Sequence, residues 1–170
     1  MQAFRDRSTT SLNRLTFLSH FTICLAVAAA AWFAHEEGIF AAIYDNDQSM
    51  STSVIGALFV VTALYLGRQA WVVDERRESR RRLGVSQETP RHRAQVDPSF
   101  GHLAERLAVI SGFVGTAIGL SLQAKALAGG AASFAALATS LFTTACGGTA
   151  AALIAVLTYN LEAGIRRLEK

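Results

Sequence analysis

Charge is missing from long stretches of this chain, and that constrains its fold more than any other feature. Twenty uncharged residues separate Asp47 from Arg68, 18 separate Arg106 from Lys125, and 36 separate Lys125 from Glu162. Between Arg14 and His35 only His20 is ionisable near neutral pH. A bilayer core of about 30 Å takes roughly 20 apolar helical residues to cross. Of the 170 residues 51% are apolar and 17% charged, whereas soluble domains carry roughly 25% charged residues. One core of this size cannot absorb four such segments, which excludes a soluble single-domain enzyme. Disordered and disulfide-framework proteins are excluded as well: the two cysteines, Cys24 and Cys146, both fall inside apolar runs.

The expected fold is therefore all-α, an integral membrane protein with four transmembrane helices. The spans run from about 15 to 34, 51 to 73, 103 to 123 and 134 to 161. Lysine and arginine sort cleanly around them. Three precede the first span, none lies in the loop after it, nine fall between Arg68 and Arg106, one (Lys125) lies between the last two spans, and three lie in the tail. Fifteen of 16 basic residues thus share one side, and the positive-inside rule places both termini and the central segment in the cytoplasm. A misplaced span would have scattered these charges. The first span, with its basic flank and small residues near Ala34, also has the outline of a signal peptide. His20 lies in this span, where a packed or interfacial histidine is a plainer reading than a proton relay.

After the second span the chain continues as GRQAWVVDERRESRRRLG. Strong helix formers and mixed charge, with Glu75 and Glu78 near Arg82, predict a solvated helical extension ending near Gly84. Its arginines serve first as a topology signal; an anionic-lipid or nucleic-acid role is the alternative. Residues 85–102, which hold both prolines, are expected to form a cytoplasmic loop. Three segments follow: an outer helix pair with its extension (1–84), the loop (85–102), and an inner helix pair with a short tail (103–170).

The two pairs differ in composition. Phe17, Phe21, Trp32, Phe33, Leu64 and Trp71 suit the first pair to lipid and its interfaces. The second pair is built of small residues. In the third span Ser111, Gly115, Gly119 and Gln123 recur every fourth residue, beside a row of Gly112 and Thr116. In the fourth, Ala135, Thr139, Thr143, Gly147 and Ala151 lie beside Ala136, Ser140, Thr144, Gly148 and Ala152. Rows one residue apart are offset by about 100° and make one broad face. Such rows let helix backbones approach closely. Their hydroxyls also suit a narrow, weakly polar conduit. No Asp, Glu, Lys or Arg lies at depth in the last two spans, and an ion path through a bilayer normally uses an ionisable group. If this chain conducts protons, another polypeptide brings the carboxylate.

GFVGTAIGL (112–120) followed by LATSLFTTACGGTAAALIAVLTYNLEAGIRRLE (137–169) resembles the MotA/TolQ/ExbB proton-channel family. The resemblance rests on Gly115, Thr116 and Gly119 in the third span, and on Thr143, Thr144 and Gly147 in the fourth. A small-residue run, Tyr159–Asn160 and a basic tail follow. It covers about 103–170, some 40% of the chain. The resemblance implies a homopentamer in the bacterial inner membrane, with the last two helices lining a central pore. Two transmembrane helices of a single-span MotB-, TolR- or ExbD-like partner would occupy that pore and supply an aspartate. Ion flow would turn the pentamer around the partner. Carried over, Thr116 and Thr144 match the pore threonines, with Thr143 as the one-residue alternative. Gly112, Gly115, Gly119, Gly147 and Gly148 would permit close helix packing.

The chain departs from the family in three ways. Thr139 stands where TolQ and ExbB carry a pore glutamate. The pore-helix prolines of MotA are missing from these spans. The central cytoplasmic segment is too short for a flagellar torque domain. A minimal ion-driven motor subunit fits best; a non-conducting four-helix scaffold and a small transporter are the competing functions. Enzyme chemistry has no support: there is no metal-ligand spacing, no nucleophile with a base, and no phosphate-cradling glycine loop. No cofactor, no metal and no nucleic acid is expected, and membrane lipid is the surrounding partner.

Overall fold

The computed structural model describes residues 15–38, 41, 50–83, 96–129 and 134–169; the side chains of 80–83, 134–136, 139, 168 and 169 lie outside that description. Four helices account for nearly all of it: α1 Leu15–Glu36, α2 Ser51–Leu83, α3 Ser99–Ala128 and α4 Phe134–Glu169. Each is long and apolar enough to cross a membrane. The described residues are all-helical, with the build of a multi-pass membrane protein.

The helices outrun the expected spans at their polar ends. α2 carries its charged extension to Leu83 as one continuous helix of 33 residues. α3 takes Ser99–His102 from the expected 85–102 loop, and α4 continues through the tail to Glu169. Backbone hydrogen bonding does not stop where hydropathy does. Arg166 and Arg167 in the last turn of α4 complement the negative end of its dipole. At the start of α3 the Asp97 carboxylate accepts the Ser99 N–H at 2.9 Å. That bond and one from the Ser99 side chain hold Asp97 below the usual carboxylate range.

α3 and α4 form the most intimate pair, α2 packs across both, and α1 leans on α2 and on the C-terminal half of α4. Two apolar clusters hold this together. Ile55, Ala104, Ala108, Ala150, Ala151 and Ile154 fill one. Leu66, Ala70, Val73, Leu157 and Leu161 fill the other, with Phe17 and Ile23 of α1 at its edge. The first cluster is largely alanine because the backbones of α3 and α4 lie too close for larger side chains. Outward, all four helices present bulky apolar groups, among them Phe21, Trp32, Leu64, Phe113 and Leu141. A soluble monomer does not expose apolar surface on this scale.

The elements are staggered. A Cβ added to Gly115 of α3 would meet the Ser51 side chain at 2.9 Å, so α2 begins at the level of Gly115. α3 runs 13 residues further, to Ala128, about 20 Å beyond the start of α2.

A polar junction anchors α1. The Phe17 N–H, unpaired within the first turn of α1, donates to Asp74 Oδ2 at 2.8 Å. Asp74 is only 4% exposed, and its Oδ1 has no hydrogen-bond partner among the described residues. From α4, Asn160 Nδ2 donates to the Thr16 carbonyl at 3.0 Å, and Gly164 leaves room for the Thr16 side chain. The carboxylate stabilises the positive end of α1 as a capping residue would. Asp74→Ala is expected to destabilise the protein by about 1–2 kcal/mol, read as a lower unfolding midpoint in detergent. Asp74→Asn, which keeps an acceptor, should lose less.

Candidate functional site

The site is the seam where α3 and α4 meet. Two glycines set its width. A Cβ on Gly147 would lie 2.8 Å from both the Ala108 carbonyl oxygen and the Gly112 Cα, and one on Gly112 would lie 3.2 Å from the Gly147 Cα. The two backbones are in contact at this crossing. Gly115, one turn further along, faces the Thr143 side chain, and Gly119 is buried as well.

This crossing divides the two small-residue rows of α4. Thr143, Gly147 and Ala151 are buried against the rest of the protomer, whereas Thr144, Gly148 and Ala152 are exposed. The rows do not act as one face. Thr143 has 0% exposure and donates to the Ser140 carbonyl at 3.0 Å, so it is a packing residue inside the protomer. Thr144 is the one that reaches a surface. Gly148, expected to permit close packing, has nothing within 4 Å of an added Cβ; it makes no close approach within the chain. The side chain of Thr139 lies outside the described residues.

Thr116 and Thr144 meet across the seam through a hydrogen bond between their hydroxyls. Thr116 also lies within bonding reach of the Gly112 carbonyl at 2.9 Å and the Ser140 carbonyl at 3.1 Å. Thr144 reaches the same Ser140 oxygen at 3.1 Å. Three threonine hydroxyls therefore converge on one carbonyl. Each hydroxyl has one proton to donate and two lone pairs. The Thr116–Thr144 pair can turn one O–H toward an incoming carboxylate, or accept from a protonated carboxyl, while the other hydroxyl stays anchored on backbone oxygen.

The exposed face of α4 around this pair is built mostly of small residues. Thr144, Ala145, Gly148, Thr149 and Ala152 follow one another along it, bounded by Leu141 at one end and Val156 and Tyr159 at the other. The outer faces of α1 and α3 also expose small residues, among them Thr22, Ala26, Ala117 and Ser121, but these are interspersed with phenylalanine, leucine and valine. Bulky side chains cover lipid; small ones admit another helix or a column of water.

His20 takes the packed role. It is 4% exposed, its Nε2 lies 2.9 Å from the Ala63 carbonyl, and its ring rests on Gly67. A carbonyl only accepts, so Nε2 carries the proton in this contact. Among the described residues no group of three His, Cys, Asp or Glu side chains could hold a metal ion.

Two features were not foreseen from sequence. Asp74 is hidden in a run of charges that reads as a solvated helix. His102 of α3 meets Glu162 of α4 at 2.8 Å, 60 residues apart in the chain; the only hint was that Glu162 ends the longest uncharged stretch. No family model, curated protein or solved structure matches this chain.

Proposed function

We propose that this chain is the pore-forming subunit of an ion-driven membrane motor. Five copies surround the two transmembrane helices of a single-span partner, in the inner membrane of a bacterium, with both termini in the cytoplasm. The α3–α4 seams face the axis, and the partner supplies the carboxylate that is missing from 107–124 of α3 and 134–161 of α4. The ion is a proton. Turning of the pentamer around the partner couples its flow to work.

The observation that carries this reading is the exposed, small, uncharged face of α4 with the bonded Thr116–Thr144 pair at its edge. Gly148, Thr149 and Thr144 cluster on the outer side of α4 beside the seam, where they leave room for another helix. A helix passing a carboxylate-bearing partner at close range needs small residues there, and hydroxyls where the carboxylate stops. The short resemblance in 112–120 and 137–169 points to the same two threonines.

The test is to tag the chain at its C-terminus, extract it from native membranes in mild detergent, and count subunits by native mass spectrometry. The expected result is five copies with two of a smaller single-span protein carrying an aspartate in its helix. A homodimer would favour a transporter with its site inside each protomer. A homo-oligomer without a partner, tight to ions in liposomes, would favour a scaffold.

A further inference from the structure

We infer that His102, Glu105 and Glu162 form the proton acceptor at the basic mouth of the seam, where the ion leaves the uncharged conduit for bulk water. This rests on the channel reading above. His102 Nε2 lies 2.8 Å from Glu162 Oε1, and His102 Nδ1 lies 3.8 Å from Glu105 Oε2. Arg166 stands behind Glu162, its guanidinium 4.0 Å from Oε2. From α2, the Tyr65 ring packs on Phe100 beside this cluster. The side chains of His102, Glu105 and Glu162 are 52%, 38% and 30% exposed, so none of the three is packed away within the chain.

Helical geometry aligns this cluster with the threonine pair. Glu162 lies 18 residues after Thr144 on α4, which at about 100° per residue is five full turns, so both share one meridian. His102 and Glu105 precede Thr116 on α3 by 14 and 11 residues, within about 40° of its direction. The distance along the helices is about 17–27 Å. Along α4 that stretch carries Gly148, Ala152 and Tyr159 on its exposed side. No carboxylate, imidazole or amine lies on α3 or α4 between the threonine pair and this cluster except Arg106.

The chemistry follows from the contacts. Nε2–H of the neutral imidazole donates to the Glu162 carboxylate, which leaves Nδ1 free to take a proton arriving along the seam. The imidazolium so formed is stabilised by Glu162 on one side and Glu105 on the other. Release of the same proton from Nδ1 to bulk water, directly or through the Glu105 carboxylate, restores the starting state. Histidine is suited to this because its charge changes between about pH 5 and 8. A pin that merely holds α3 to α4 would need only the hydrogen bond.

The complex purified from native membranes through the tagged chain is placed in liposomes with pyranine inside, and proton flux is driven by a potassium diffusion potential. His102→Gln keeps a donor for Glu162 but cannot titrate. It is expected to lower flux about tenfold and to weaken its dependence on pH. Glu105→Gln, on the exposed side, is expected to lower flux about threefold with a smaller loss of pH dependence, and it serves if His102→Gln does not assemble. Wild-type flux and pH profile in both glutamine variants would overturn this inference and leave the channel reading standing. Wild-type vesicles no leakier than empty ones, or carrying sodium without protons, would overturn it as well, the former together with the channel reading.

Discussion

Thr144→Val is expected to cut proton flux through the complete complex by about 10- to 100-fold while the oligomer stays intact. A hydrogen bond from a hydroxyl to a charged group contributes about 1.5–3 kcal/mol, and each 1.36 kcal/mol of barrier is roughly tenfold in rate. Valine matches threonine in shape but cannot donate to the partner carboxylate that the proposed channel requires. The fold has little to lose. Thr144 is exposed on the protomer, and the Ser140 carbonyl keeps Thr116 and Thr143 within bonding distance. The missing bond costs about 0.6–2 kcal/mol inside a membrane. Thr144→Ser retains the hydroxyl and should conduct nearly as well as the natural protein. Flux is read in pyranine-loaded proteoliposomes, assembly by native mass spectrometry. Unchanged flux in the valine variant would remove the hydroxyl from the mechanism. Loss of the oligomer would make this face a contact between copies and favour the scaffold.

Gly147→Val should have the largest effect on the fold. Its Cβ would come within 2.8 Å of a backbone oxygen and a backbone carbon of α3. Neither atom can rotate away, so the two helices must separate along the whole seam. Overpacking of this kind costs about 1–3 kcal/mol, occasionally more. Separation would also pull Thr116 from Thr144, so residual protein should be inactive. Gly148→Val makes the informative contrast. Nothing lies within 4 Å of that position, and protomer stability should change by no more than about 0.5 kcal/mol. Its effect should fall on flux or on subunit number. Thermal unfolding in detergent separates the two variants; equal stability would mean that α3 and α4 do not cross in contact at Gly112 and Gly147.

Helix number and approximate span positions were legible because they depend on local quantities. Hydropathy over about 20 residues identifies a span. The small-residue rows of 111–123 and 135–152 were equally legible as rows. Their division of labour was not. Sequence spacing gives angles around one helix, and Thr143 and Thr144 differ by only about 100°. Which of them faces the neighbouring helix depends on where that neighbour lies. Asp74 shows the same limit: in a run of charged residues it looks solvated, and only the arrival of the α1 N-terminus buries it.

The order of residues thus decided that this chain is a set of long apolar helices, the last two with long uncharged stretches, because hydrophobic matching to a bilayer and helix periodicity act over short stretches. The packed structure decided that Gly112 meets Gly147, that Thr144 and not Thr143 reaches a surface, and that His102 finds Glu162. Those pairings depend on the crossing point and rotation of α3 against α4. Contacts summed over the whole interface set both, and no local pattern encodes them.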